Sequence, residues 1–375
     1  MNQKLIIYTH ETYPKRGGIA NYCHEFANAA ASEGFSSELI GHKNTAYPED
    51  FTRPPTYSIH RGSNRGTHNP DCIWKSRRLI QAKLLENPTA YHVFAEPGPI
   101  LALGLLSKNI PANLIYLTLH GSEILKWSRQ PIYRMIAERA FSRARQINTV
   151  SKPINALATA GFPRFKSKFI PVPNALPEIY RKQQMPEKPL KAGSQMCLLS
   201  VGRIDRRKGY DQVITAISKL PKNQRTSLRY TIAGAEKDKA YYDELVAQAE
   251  EAGLAFNIAL NCSQQELKNH YNEADVFILT SQPRKHSIEG FGLVYLEAGS
   301  FGLPCIAYKS GGVSDAVLHE KTGLLVEEGN LAALSRTIEH FLVHPEERLR
   351  LGNANYEFST SRSWRDVVRE SLGRE

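Results

Sequence analysis

The sequence predicts an α/β protein of two doubly wound domains, each a parallel sheet covered by helices, facing a central cleft. Three observations carry this. Strand-like apolar runs alternate with helix-length stretches from end to end. The alternation breaks between residues 171 and 193, a segment rich in Pro, Lys and Gln, and then restarts. The 375 residues are too many for one ordinary core.

In chain order, residues 5–9 read as the first strand and 19–32 as the first helix, and 114–119 and 147–150 as later strands. The stretch 98–119 is the most apolar, but Lys108, Asn109 and Pro111 interrupt it. It falls short of the roughly 20 apolar residues of a membrane span. After the break come a strand over 196–201, a helix over 210–219, a strand over 228–233, a helix over 239–252 and a strand over 256–260. Ser263 and Glu266 have the spacing of a capping box opening the next helix. Residues 274–279 read as a buried strand, and a helix opens near Leu293. A last helix over 363–372 carries Trp364, Val367, Val368 and Leu372, which need a surface to bury against. The expected domains are 1–180, 181–355 and a terminal helical piece, 356–375, packed back on the first.

Charge separates the halves. Residues 1–180 hold 22 Lys and Arg against 12 Asp and Glu, whereas 181–375 hold 26 against 25. The net +11 therefore lies almost wholly on the first half. A one-sided basic field favours an anionic partner: lipid headgroups, nucleic acid or an acidic substrate. The chain opens directly into a strand, with no charged-then-apolar leader ahead of it. The five cysteines, Cys23, Cys72, Cys197, Cys262 and Cys305, are far apart and lack metal-ligand or disulfide-framework spacing, as suits a reducing cytosol.

Candidate site residues cluster at strand-to-helix turns, where doubly wound domains bind ligands. The most informative is the run from Thr280 to Gly299. A strand feeds a loop bearing Glu289, Gly290, Phe291 and Gly292, and the loop opens a helix at Leu293. Unpaired amides and the dipole at such a helix start favour phosphate. Glu297 falls about 6 Å further along the helix axis, at roughly 1.5 Å per residue. A carboxylate there suits the paired hydroxyls of a ribose. Glu289, on the loop, is free to meet what hangs off the far phosphate. A Glu at a helix start fits equally well as a favourable charge for the dipole, and a buried Gly as close packing. At the start of the second half, Gly202-Arg203 and Lys208-Gly209 bracket a loop whose Arg and Lys can converge on a diphosphate, a fork and a point charge. Arg206 and Arg207 read as solvated. Gly17-Gly18, after Lys15-Arg16, precedes the first helix without the dinucleotide spacing, and a plain tight turn reads as well. His120 ends a strand, followed by Gly121. Ser310-Gly311-Gly312 is a further turn of this type.

Together these residues resemble the GT-B glycosyltransferases, specifically glycosyltransferase family 4, over nearly the whole chain. Glu289 through Glu297 is similar to the family's E-x7-E motif. Gly202, Arg203, Lys208 and Gly209 are similar to its phosphate loop. Gly17-Gly18, His120-Gly121, Pro173-Asn174, Gly311-Gly312 and the run Thr322 to Val326 follow in family order. The resemblance implies the GT-B fold, two Rossmann-like domains, and these roles. Glu297 binds the ribose. Arg203, Lys208 and the amides of Phe291, Gly292 and Leu293 bind the diphosphate. Glu289 and His120 hold the transferred sugar, Gly17 and Gly18 approach the diphosphate, and the base lies against backbone near Asn261 and Cys262. The expected catalytic set is His120, Glu289, Arg203 and Lys208. No metal and no cofactor beyond the donor are implied, and the chain has no Asp-x-Asp motif. Two features depart from the pattern. Ala175 stands where the family often has Gly, and the basic loop 282–287, with Arg284 and Lys285, is long enough to face an acceptor.

The resulting expectation is a retaining, metal-independent hexosyltransferase. It uses a nucleotide diphosphate sugar, UDP ahead of GDP, and a glycan or lipid-linked hydroxyl acceptor in cell-envelope polysaccharide or glycolipid assembly. It is expected to be cytoplasmic and peripheral on the inner membrane face, with no nucleic-acid partner. The alternatives are a GT-B sugar-nucleotide epimerase and a non-catalytic binder of anionic membrane or RNA.

Overall fold

The computed structural model describes residues 3–12, 17–42, 55–62, 70–107, 114–181, 184–185 and 195–374. Lys15, Arg16, Lys108, Asn109 and Pro111, singled out above, lie outside them. The chain divides into two compact units. Unit 1 is Met1–Pro177 with Lys285–Phe291 and Ser363–Glu375, and unit 2 is Glu178–Arg284 with Gly292–Arg362.

Unit 1 holds a seven-stranded sheet: β1 (Gln3–Tyr8), β2 (Phe35–His42), β3 (Ser58–Gly62), β4 (Tyr91–Phe94), β5 (Leu114–Leu119), β6 (Gln146–Thr149) and β7 (Phe169–Pro171). Its order is β3-β2-β1-β4-β5-β6-β7 and every pairing is parallel. Strands covered on both faces read as continuous apolar runs, and Leu5, Ile6 and Ile7 are fully buried. The order reverses between β1 and β4, so the crevice of this sheet opens at their carboxyl ends.

Unit 2 repeats the architecture with β8 (Met196–Val201), β9 (Leu228–Gly234), β10 (Ala255–Leu260), β11 (Val276–Leu279), β12 (Cys305–Tyr308) and β13 (Gly323–Val326). The order is β10-β9-β8-β11-β12-β13, again all parallel, and reverses between β8 and β11. The expected capping box is present: Ser263 Oγ accepts from the Glu266 amide while Glu266 accepts from the Ser263 amide. Gly209 connects the loops on either side of the reversal. It sits at φ 70°, and a Cβ there would lie 2.3 Å from the Thr280 carbonyl oxygen. Thr280 Oγ1 donates to the Gly209 carbonyl at 2.6 Å, so the turn after β8 is fixed to the end of β11.

Besides the first boundary, which falls at 177/178 instead of 180/181, two differences from the sequence expectation stand out. A cut at 355/356 falls inside the helix Pro345–Ser361, which stays in unit 2 because it packs on the helix Leu293–Gly299. A Cβ on Gly299 would lie 1.9 Å from Ser359 Oγ, so only glycine permits that approach. The terminal piece in unit 1 starts at Ser363, the cap of the helix Trp364–Ser371. Trp364 is buried edge-on against Tyr22 at 5.5 Å, and Arg365 and Arg369 both pair with Glu33, at 2.6 and 2.7 Å. The second difference is the segment Lys285–Phe291, which lies between β11 and a unit 2 helix in sequence yet belongs to unit 1. Among the described residues no helix is long and apolar enough to cross a membrane.

Candidate functional site

In unit 2, β8 runs into Gly202 at φ 153° and then Arg203. A Cβ on Gly202 would meet Tyr210 Oη at 3.0 Å and Lys208 Cε at 3.3 Å, so the missing side chain lets the Lys208 stem lie across the loop. Asp205 caps the short helical turn Arg206–Lys208 by accepting from the Arg207 amide. Tyr210 Oη donates to the Arg203 carbonyl at 3.2 Å. The Arg203 side chain itself is exposed and takes no hydrogen bond or ion pair among the described residues. The loop thus presents a guanidinium and an ammonium from a braced backbone.

Beyond β11, Gly292 sits at φ 92° and starts the helix Leu293–Gly299 without a side-chain cap. Glu297 is nearly fully buried on that helix. Burial raises its carboxyl to about 7, and a 2.9 Å hydrogen bond donated by Tyr271 Oη only partly offsets this. A carboxylate so poorly solvated has strong demand for further donors. Asn261, exposed at φ 53°, turns the chain after β10, its amide donating to the Gly234 carbonyl at 3.0 Å; Cys262 is buried beside it. At the end of β12, Ser310 Oγ is buried without a hydrogen-bond partner among the described residues, just before Gly311 at φ 54°.

In unit 1, the helix Gly18–Ser32 begins after Gly17 with no side-chain cap and no acid in its first turn. A Cβ on Gly18 would meet nothing within 4 Å. A Cβ on Gly17 would lie 3.2 Å from Glu11 Oε2, so a carboxylate stands beside the start of that helix. His120 ends β5. Its Nε2 lies 2.9 Å from the Ala95 carbonyl, an acceptor only, so Nε2 carries the proton and Nδ1 is the acceptor of the neutral ring. Burial holds its pKa below the ordinary value, with opposing help to the charged form from Glu123 and the Ala95 carbonyl, which keeps it neutral near pH 7. The ring stands edge-on to Tyr22 at 5.2 Å, and its backbone amide donates to the buried carboxylate of Glu123.

Glu289 joins His120 here. The Ile288 amide donates to Ser122 Oγ at 3.1 Å, and Ser151 Oγ donates to the Gly290 carbonyl at 2.8 Å, so Glu289 is held between two anchors. A Cβ on Gly290 would lie 2.1 Å from the His120 carbonyl oxygen, and one on Gly121 would lie 3.1 Å from Ile288. These glycines admit the segment. Phe291, at its end, is buried.

The structure therefore groups the expected residues in two sets. Arg203, Lys208, Asn261, Cys262, Gly292, Leu293 and Glu297 are in unit 2; Gly17, Gly18, His120, Glu289 and Phe291 are in unit 1. The basic loop 282–287 is divided. Arg284 stays in unit 2, its guanidinium donating to the Arg206 carbonyl, while Lys285 is in unit 1, its carbonyl accepting from Arg129. The sequence reading missed Tyr271, Ser122, Ser151 and Glu123, whose roles depend on partners 26 to 166 positions away or, for Glu123, on one backbone amide. It also missed His10 and Glu96 at the β1/β4 reversal, where the buried Glu96 carboxylate accepts from the His10 amide and His10 Nε2 lies 3.2 Å from Ser76 Oγ. Among the described residues no group of three or more His, Cys, Asp or Glu side chains is arranged to hold a metal ion.

Two family models match the chain. Residues 16–175 match the model described as Glycosyltransferase Family 4, and 181–358 the model described as Glycosyl transferases group 1. A GDP-mannose-dependent alpha-(1-6)-phosphatidylinositol monomannoside mannosyltransferase of Mycobacterium tuberculosis is 26% identical, over 96% of this chain and 94% of its own length. Among solved structures, sucrose-phosphate synthase from Thermosynechococcus elongatus shares the fold at a TM-score of 0.77 and 20% identity, covering 98% of this chain and 97% of its own. An Anabaena protein crystallised with UDP-glucose does so at 0.73 and 15% identity, covering 99% and 98%.

Proposed function

Because this chain belongs to glycosyltransferase family 4 and has the GT-B fold, we propose that it moves a hexose from a nucleoside diphosphate hexose to a hydroxyl of a phosphate-bearing glycan or glycolipid, with retention at the anomeric carbon and without a metal. One observation carries the donor half of this reading. The buried Glu297 and the Arg203–Lys208 loop stand at adjacent strand ends of one sheet, fixed by the Gly209–Thr280 contact.

The chemistry follows from the side chains. Arg203 and Lys208 neutralise charge building on the departing diphosphate, in the part a metal ion takes elsewhere. Glu297 accepts from the ribose hydroxyls, which suits a carboxylate short of donors. Neutral His120 accepts through Nδ1 from a sugar hydroxyl, and Glu289 takes a second. These two contacts orient the anomeric carbon. A leaving phosphate oxygen on the face of the departing bond then takes the acceptor proton as the acceptor oxygen attacks that same face. The new C–O bond forms as the old one breaks, and configuration is kept.

For the donor, the sequence reading favoured UDP. The Mycobacterium relative, aligned over nearly its whole length, is named for GDP-mannose, so GDP-mannose is the first donor in this proposal and UDP-glucose the second. A peripheral membrane position accords with unit 1. The helices Pro70–Glu86 and Pro131–Arg143 both pack on the helix Pro97–Gly104. They expose Trp74, Leu85, Ile132 and Met135, with Lys75, Arg78 and Arg139 exposed among them. Apolar side chains beside cations fit an anionic lipid surface.

The test is to incubate the protein with GDP-mannose or UDP-glucose, a lipid extract and EDTA, then follow nucleotide release and the anomeric signals of the product. Transfer with retained configuration, lost in Glu289→Gln, is expected. A new nucleotide sugar formed without acceptor would replace this reading with epimerisation, and turnover abolished by EDTA would remove its metal-free part.

A further inference from the structure

We propose that unit 2 carries a second anion site, separate from the donor contacts, that takes a phosphate-bearing small molecule such as a sugar phosphate. The loops after three adjacent strands, β9, β8 and β11, border an open cavity of about 600 Å³. Its lining includes five cations, Arg206, Arg207, Lys237, Lys239 and Arg284, against two acids, Asp205 and Asp238. None of Arg203, Lys208, Asn261, Cys262 or Glu297, the donor contacts proposed above, lines it.

The cavity has a braced frame. Ile204 and Glu236 form a parallel bridge that holds the β8 and β9 loops together. The Gln282 amide donates to the Arg207 carbonyl at 2.8 Å, and the Arg284 guanidinium donates to the Arg206 carbonyl at 3.4 Å, which fixes the β11 loop to the same rim. The helix Lys239–Glu251 starts there, capped by Asp238.

The counterions now present are exchangeable. Arg206 pairs with Glu244 at 2.6 Å and Asp238 at 3.6 Å, all well exposed, and the exposed Lys237 pairs with Asp205, which is only 23% exposed. Exposed pairs of this kind hold weakly. A phosphate with two charges and three terminal oxygens meets two or more of these cations together, with arginine forks supplying directional bonds and lysines point charge. The cavity volume suits a sugar-sized molecule. A surface groove for nucleic acid would instead need cations continued along a face.

The proposal does not depend on which donor unit 2 binds, because the ligand enters with the donor site filled. The full-length protein, saturated with GDP or UDP, is titrated calorimetrically with mannose 6-phosphate, inorganic phosphate and unphosphorylated mannose. Mannose 6-phosphate is expected to bind one per chain and to weaken at least tenfold in the Lys237→Ala/Arg284→Ala variant, while nucleotide affinity stays within twofold. Equal binding of inorganic phosphate assigns recognition to the phosphate alone; tighter mannose 6-phosphate binding assigns part of it to the sugar. Lys237→Gln/Arg284→Gln, which keeps side-chain bulk at the rim, repeats the measurement should the alanine protein unfold. Binding unchanged in both variants, equal binding of mannose, or parallel loss of nucleotide affinity would overturn the second site.

Discussion

Replacing Glu297 with Gln should stabilise the unliganded protein at neutral and alkaline pH and do nothing at pH 4. The carboxyl of Glu297 rises from an ordinary 4.5 to about 7 in the folded chain because burial removes its water. A raised carboxyl pKa means the folded state holds the proton longer than the unfolded state. Stability from this group is therefore full below about 4.5 and is lost as pH rises to about 7. At ~1.4 kcal/mol per pH unit, the charged form costs ~3 kcal/mol above pH 8. Gln keeps an acceptor for Tyr271 Oη and has no charge to desolvate. Urea unfolding of both proteins between pH 4 and 9, followed through unit 2 probes, measures the difference. It should be near zero at pH 4, grow to pH 7 and then level. The same substitution should weaken GDP or UDP binding, because the ribose hydroxyls lose a carboxylate acceptor. A difference that is flat with pH, or a variant less stable at pH 8, would refute the claim that Glu297 is a strained ligand-directed acid.

Three further outcomes follow. Gly290→Ala forces its new Cβ away from the His120 carbonyl, only 2.1 Å off; since displacements of about 1 Å in a site cost up to ~100-fold, turnover should fall at least about tenfold. On the proposal that Arg203, Lys208 and Glu297 hold the nucleotide, its affinity should hold, and an unchanged rate would mean the segment does not position Glu289. Trp364→Ala removes a buried aromatic from Tyr22 and should cost about 3–5 kcal/mol, seen as early amide exchange in the helix Trp364–Ser371; exchange as slow as in the parent protein would contradict the packing. Ile132→Glu with Met135→Glu should lower co-sedimentation with anionic vesicles severalfold, and binding by the parent protein should fade as salt rises. Salt-insensitive binding, or none lost in the variant, would remove the membrane surface from the account.

The fold was legible because its signals are local. Continuous apolar runs such as Leu5–Ile6–Ile7, a capping box at Ser263 and glycines at the helix starts report on residues a few positions apart. The turns proposed as the site were legible as turns, at Arg203–Lys208 and at Glu289–Glu297, because their glycines and charged residues are neighbours in sequence. What stayed hidden depends on distant partners. The burial of Glu297 under Tyr271 sets its proton affinity, and no spacing announces it. The division of the 282–287 loop between the units comes from Ser122, Ser151 and the two glycines that admit Ile288 and Gly290. The donor base also leaves little trace, since the Asn261–Cys262 turn expected to face it offers backbone rather than a base-selective side chain.

The most direct test is a crystal structure of the protein soaked with GDP-mannose, and separately with UDP-glucose. The account predicts a diphosphate within hydrogen-bond distance of Arg203 and Lys208, with the ribose hydroxyls on Glu297 in place of bulk water. A nucleotide bound elsewhere, or one seated here with its ribose turned away from Glu297, would contradict it.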